Sequence, residues 1–291
     1  MKNETSIILV TGATGKQGGA VARELLSHGY KVRAMTRKQT ESAARELAAR
    51  GAEIVTADLD QPATLERALA GVWGVFAVQN TWEAGVVQEE LQGKRFAEIA
   101  KNAGVEHFVY SSVGSAHRKT GIPHFDNKAR VEEKVRGLGF PSSVIIRPVF
   151  FMENWISPWF KPGLDEGKLF IALKPETRLQ MIAVEDIGRF GRIAFERDKE
   201  LNGRAIDIAG DQRTVPETAE ILGRALGRTI TVVPVPIAEV RKQSEDYAIM
   251  LEWFDRVGYD VDIPGLIREY GIRPLTLGEW ADKRLKLRAA A

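Results

Sequence analysis

Apolar runs of strand length alternate with stretches of helical period through the first half of the chain. Ile7–Val10 is apolar throughout and runs into a glycine-rich turn, then a helical pattern over Lys16–Ser27 that Gly29 closes. The same reading predicts strands over Tyr30–Met35, Glu53–Ala57, Val72–Val78, His107–Ser111 and Ser143–Arg147. Between them it predicts helices over Glu41–Arg50, from the Asp60 and Pro62 start signals to near Gly71, over Glu89–Ala103 and over Asn127–Arg136. Strands this apolar are buried on both faces, which calls for a parallel sheet with helices on each side. Right-handed crossovers then make the expected fold α/β, a doubly wound parallel Rossmann sheet.

After Arg147 the rhythm breaks. Residues 148–180 are rich in aromatics, proline and glycine, including Phe150, Phe151, Trp155, Trp159 and Phe160. Trp155 and Trp159 are i, i+4 partners if that stretch is helical. A helix over Glu185–Glu196, a strand over Ala205–Ala209, a helix over Pro216–Leu226 and a strand over Thr229–Val233 follow, and the end is mostly helical. The expected division is residues 1–150 as the Rossmann domain and 151–291 as a smaller α/β C-terminal lobe. The boundary is soft, because residues near 181–210 can return to the first sheet.

Composition removes several classes of function. The 291 residues carry 41 Lys and Arg against 39 Asp and Glu, a formal charge of +2 with no basic block, so nucleic acid is not an expected partner. There is no cysteine, which excludes disulfides, thiolate metal sites and cysteine nucleophiles. His107, His117 and His124 are too far apart for a compact ligand motif, and no metal is expected. No apolar run approaches the ~20 residues of a membrane span, and Met1–Ser6 leads into the first strand without a signal-like stretch. The expectation is a cytoplasmic protein. Lys283–Arg288 is most simply a solvated basic end.

The chemistry concentrates at strand ends. Gly12, Ala13, Thr14, Gly15, Lys16, Gln17 and Gly18 form a G-x-x-G-x-x-G turn between the first strand and first helix. Glycines there permit a tight turn, close backbone approach to a pyrophosphate and close helix packing, while the helix N-terminus favours an anion. The bland alternative is an ordinary tight βα turn. After the second strand, where a carboxylate would take an NAD ribose hydroxyl, stand Arg37 and Lys38. Two cations suit a 2′-phosphate, so NADP(H) is favoured over NAD(H); a solvated basic corner is the alternative. Asp58 with Leu59 is placed for the adenine, or simply starts a helix. Val78, Gln79 and Asn80 are expected to border the ribose and pyrophosphate.

With these residues the chain resembles the NmrA-like family of atypical short-chain dehydrogenases, and most its NADPH-sensing, HSCARG-like branch. The resemblance rests on Thr11–Gly18, Val32–Arg37, Gln88–Arg95, His124–Lys128, Arg147–Asn154 and Glu185–Gly188. It implies an extended Rossmann domain with a small C-terminal lobe and a cleft between them. It also implies Lys128 on the nicotinamide ribose, and Phe151, Met152 and Asn154 beside the nicotinamide. Active short-chain dehydrogenases pair a tyrosine with a lysine four residues on; here the lysine is Lys128 and His124 stands where the tyrosine would be. His124 is either an imidazole proton donor or a residue orienting the helix start. Val113 takes the place of the catalytic hydroxyl, while Ser111 bonds the cofactor or ends its strand. The expected function is an NADP(H)-binding redox sensor or regulator with weak or no turnover, acting through a protein partner or homodimer. The alternative is an NADPH-dependent reductase of quinones, enones or related conjugated carbonyl compounds.

Overall fold

The computed structural model describes residues 6–289, with side chains as far as Leu285. The reading of the opening residues as free of a signal segment, and the Lys286 and Arg288 part of the basic end, lie outside what is described.

In chain order the first elements are β1 (Ile7–Val10), α1 (Lys16–Ser27), β2 (Lys31–Thr36), α2 (Ser42–Ala49), β3 (Glu53–Thr56), α3 (Pro62–Leu69) and β4 (Val72–Ala77). Then come α4 (Thr81–Ala84), α5 (Val86–Asn102), β5 (His107–Ser111), α6 (Pro123–Gly137) and β6 (Ser142–Pro148). They are followed by β7 (Phe150–Phe151), α7 (Lys161–Asp165), β8 (Lys168–Ile171), β9 (Leu179–Ile182), α8 (Val184–Glu196), β10 (Ala205–Ile208) and β11 (Asp211–Arg213). The chain ends with α9 (Val215–Leu226), β12 (Thr231–Pro234), α10 (Ile237–Gln243), α11 (Glu245–Arg256), α12 (Ile263–Tyr270) and α13 (Leu277–Ala289).

Seven strands form one parallel sheet in the order β10-β6-β5-β4-β1-β2-β3. Ile8, Leu9 and Val10 of the central strand are wholly buried, as the apolar run demands. On one face Leu9, Val75, Phe108 and Tyr110 pack with Leu65, Phe96 and Val131 of α3, α5 and α6. Elsewhere Gly188 and Gly191 of α8 admit close approach to α1: a Cβ on either would meet Ala20 or Val21 at 2.9 or 2.8 Å. Strand order reverses between β1 and β4, the crevice where doubly wound sheets hold ligands.

Two compact units emerge. Among the described residues the first comprises those from Ser6 to His117, His124–Arg147 and Ile187–Ile206. The second comprises Arg118–Pro123, Pro148–Asp186 and Asp207 onward. It contains a three-stranded sheet, β11-β9-β7, and the parallel pair β12-β8. Its last helix is anchored by buried carboxylates. Asp186 accepts the Leu275 amide and Asp211 the Leu277 amide, each at 2.8 Å, and Glu153 accepts the Trp280 indole N–H at 2.9 Å.

Several local expectations change. Helix α6 starts at Pro123 rather than Asn127, because proline is accommodated in a first turn. His124 is therefore inside the helix rather than ahead of it. Helix α3 takes Gln61 as its N-cap, not Asp60, whose carboxylate is drawn instead to Gln88, Gln92 and Arg95. Helix α4 and the strands β7, β8, β9 and β11 are too short for periodicity to show. Trp155 and Trp159 do not share a helix face: Trp155 is buried and Trp159 is 81% exposed.

Candidate functional site

The site starts at the carboxyl ends of β1 and β4. The Thr11 hydroxyl donates to the Val78 carbonyl at 2.9 Å and accepts the Val78 N–H at 2.8 Å, tying the two strand ends together. Gly12 then turns the chain at φ +56°, a conformation that favours glycine, and its carbonyl accepts the Gly15 N–H at 2.9 Å. A Cβ on Gly18 would lie 2.3 Å from the Gly12 oxygen, so only glycine lets α1 begin this close to the turn. Gly15 caps the helix in an extended conformation without a side-chain acceptor. The first-turn N–H groups of Lys16, Gln17 and Gly18 have no carbonyl within the helix to receive them. Gly12, Gly15 and Lys16 are exposed and Ala13 is buried beneath them, so the turn is an open backbone cradle. The Thr14 hydroxyl stands 3.5 Å from that of Thr36.

Neighbouring strand ends contribute side chains. Ser111, at the end of β5, donates its hydroxyl to Gln17 Oε1 at 2.7 Å. Gln79 is 6% exposed, and neither its amide oxygen nor its amide nitrogen has a partner among the described residues. A buried carboxamide without partners costs free energy that a bound polar group would recover. The open cradle fits the pyrophosphate of a dinucleotide, while the Gln79 amide oxygen lies toward Gly93 of α5.

The remaining sequence-derived residues have protein partners. Arg37 is exposed and ion-paired with Glu83 of α4, and Lys38 pairs with Glu41 at 3.2 Å. Asp58 Oδ1 accepts the Asp60 N–H at 2.9 Å, and the Leu59 carbonyl accepts from Arg95 at 2.6 Å. Asn80 caps α4 through the Trp82 N–H at 3.2 Å. Val78 is buried at the end of β4. Phe151, Met152 and Asn154 belong to the second unit, on β7 and the single 3-10 turn after it, with Met152 wholly buried. Within that turn Glu153 also accepts the Val184 N–H at 3.0 Å; burial pushes its carboxyl above the usual range.

His124 and Lys128 lie four residues apart on α6. The His124 ring packs against Trp82 at 5.2 Å and edge-on to Phe125 at 4.8 Å. The Lys128 ammonium donates to Glu89 Oε1 at 2.7 Å. Glu89 is 1% exposed and its other oxygen accepts from Asn127 at 2.9 Å and from the Thr81 hydroxyl. Burial alone would raise the Glu89 carboxyl, but the Lys128 charge and these hydrogen bonds outweigh it and hold it below the usual range. Sequence reasoning missed Glu89. The available signal was an acid on the buried stripe of α5 with Gln92, Gly93 and Phe96, where a carboxylate must be compensated.

Fold and cradle together define a Rossmann-type α/β protein. The NmrA-like family model matches residues 4–277, and the chain belongs to that family. It is 27% identical over 269 residues to an NmrA-like family domain-containing protein of Dictyostelium discoideum, covering 86% of this chain and 88% of that one. Of some other curated relatives it spans about half to three quarters of the length. Among solved structures it is similar to a Citrobacter sp. triphenylmethane reductase complexed with NADP(H), at TM-score 0.80 and 19% identity, covering 96% of this chain and 99% of that one. It is also similar to NmrA, a negative transcriptional regulator. The NmrA complexes with NAD and with NADP match at TM-scores 0.80 and 0.78 and 21% and 20% identity, each covering 98% of this chain and 97% of NmrA. These solved structures thus hold nicotinamide dinucleotides. Among the described residues no helix is long and apolar enough to cross a membrane, and no cluster of potential metal ligands occurs.

Proposed function

We propose that the protein binds NADP(H) and acts as a cofactor-responsive regulator with weak or no turnover. In this reading the N–H groups of Lys16, Gln17 and Gly18 hold the pyrophosphate, and Arg37 with Lys38 the 2′-phosphate. Asp58 and Leu59 take the adenine, and Val78, Gln79, Asn80 and Ser111 border the ribose side. The family resemblance supplies the nicotinamide end, Lys128 with Phe151, Met152 and Asn154. When bound, the nicotinamide supplies or accepts a hydride. The cytoplasmic setting belongs to the same proposal.

The observation that carries the regulatory reading is the Lys128–Glu89 pair. A catalytic lysine of this kind works through its positive charge, which lowers the pKa of the proton donor beside it. Here the Glu89 carboxylate at 2.7 Å neutralises that charge, and the donor position holds an imidazole packed between rings. A coupling of ~1–3 kcal/mol between cofactor and a protein partner, or a second copy of the chain, is enough for regulation.

The reductase reading for quinones and enones is favoured by the fold likeness to the NADP(H)-bound triphenylmethane reductase. Conjugated acceptors can take their proton from water, so the missing tyrosine does not preclude it. NADPH fluorescence on titration, followed by NADPH oxidation against quinones, aldehydes and enones, separates the two. Binding without oxidation supports the regulator. Turnover that drops in Lys128→Ala supports the reductase. Absence of binding by either nicotinamide nucleotide refutes both.

A further inference from the structure

The second unit carries a separate gathering of cationic side chains without ion-pair partners among the described residues. A surface pocket of about 310 Å³ lies beside the turn after β8 and the end of α11, lined by Lys174, Arg178 and Arg256. We propose that these three cations bind a small phosphate-bearing ligand. None of the residues involved belongs to the dinucleotide cradle, so the inference stands independently of the proposed function.

Three observations carry it. First, the Lys174, Arg178 and Arg256 head groups form no ion pair or hydrogen bond among the described residues. Arg178 only lowers the Glu217 carboxyl through space. This is unlike Arg37, Lys128 and Arg147, each of which has a carboxylate partner. Cations that line one pocket without ion-pair partners repel one another, a cost an anion would offset.

Second, one nearby acid is already committed. Asp255 accepts the Lys174 backbone N–H at 3.0 Å and the Thr177 hydroxyl at 2.5 Å, and the Thr177 N–H closes the turn on the Lys174 carbonyl at 3.1 Å. Its carboxylate builds the turn that presents the cations. The lining sets three cations against the carboxylates of Asp255 and Glu176, an excess of one positive charge.

Third, the pocket stands on fixed structure. Phe254 and Tyr259 pack at 5.1 Å and Trp253 and Tyr259 at 5.7 Å. Gln180 and Val261 exchange two bonds of 2.9 Å, joining β9 to the segment after α11. A pre-formed pocket loses little entropy on binding. Its volume is at the small end of ligand sites, and two guanidiniums with an ammonium match a phosphate ester better than a neutral or apolar compound.

The test is calorimetric titration of the full chain with inorganic pyrophosphate. We expect saturable binding that weakens at least about tenfold in Arg178→Gln/Arg256→Gln and persists in Gly18→Ala. Glu176→Gln, which removes the rim carboxylate, is expected to tighten it by about threefold. No saturable heat up to about 10 mM overturns the site. So does binding unchanged in the double variant but lost in Gly18→Ala, which would assign the signal to the dinucleotide cradle. Should the double variant unfold, Glu176→Gln and Lys174→Gln decide: weaker binding in the first, or unchanged binding in the second, refutes the proposal.

Discussion

Replacing Glu89 by Gln tests the feature that separates this site from an active dehydrogenase. Glu89 is 1% exposed, and the Lys128 side chain is 11% exposed, so the pair sits largely out of water. Glutamine keeps the volume and an acceptor for Thr81 or Asn127 but leaves the ammonium without its counter-charge. Stranding one partner of a buried pair costs ~3–5 kcal/mol; water reaching Lys128 puts the expectation near ~3 kcal/mol. In a protein of this size that lowers Tm by roughly 6–12 °C. Urea unfolding at neutral pH, with an unchanged m-value, measures it. Glu89→Gln/Lys128→Met removes both charges and is expected to recover at least half of the loss. The pH dependence has a definite sign. The folded carboxyl is held below its usual range, so the unfolded chain takes up the proton first. The stabilisation is complete above the unfolded pKa of ~4.3 and disappears as pH falls through the folded value. A loss under ~1 kcal/mol in Glu89→Gln, or strict additivity in the double variant, would show that Lys128 does not depend on Glu89.

Other perturbations reach the rest of the molecule. Arg37→Ala is expected to weaken NADPH binding by about 10–100-fold while NADH changes less than about threefold; equal losses in fluorescence titration would remove the 2′-phosphate assignment. Gly18→Ala places a Cβ 2.3 Å from the Gly12 oxygen and 2.4 Å from that of Thr11, both backbone atoms. It should cost ~2–4 kcal/mol of stability and most dinucleotide affinity, and wild-type behaviour in both assays would contradict the close approach. Burial pushes the His107 imidazole down to about 4, between the Ser142 hydroxyl and the Ala194 carbonyl. Its stabilisation, ~3 kcal/mol, is therefore present above pH ~6.5 and lost on acidification toward pH ~4. His107→Asn should flatten the stability profile in that window. The Tyr110 hydroxyl is buried without a partner among the described residues, so Tyr110→Phe is expected to leave stability unchanged or raise it by ~1 kcal/mol; a loss larger than ~1 kcal/mol in urea would expose a partner for that hydroxyl.

Much of the architecture is written in local pattern. Ile7–Val10, the glycines at 12, 15 and 18, and the repeated strand–helix period determine a parallel sheet with an open turn at its first crossover, because burial on two faces and positive φ leave a direct trace in composition. Tertiary structure alone decided the partners. Arg37 finds Glu83, Lys128 finds Glu89, Ser111 finds Gln17 and Asp255 finds the Lys174–Thr177 turn across gaps of dozens of residues. No periodicity encodes such pairs. Charge compensation depends on which side chains the fold brings within a few ångströms, and a charge left over, like those at Lys174, Arg178 and Arg256, is recognisable only once every neighbour is in place.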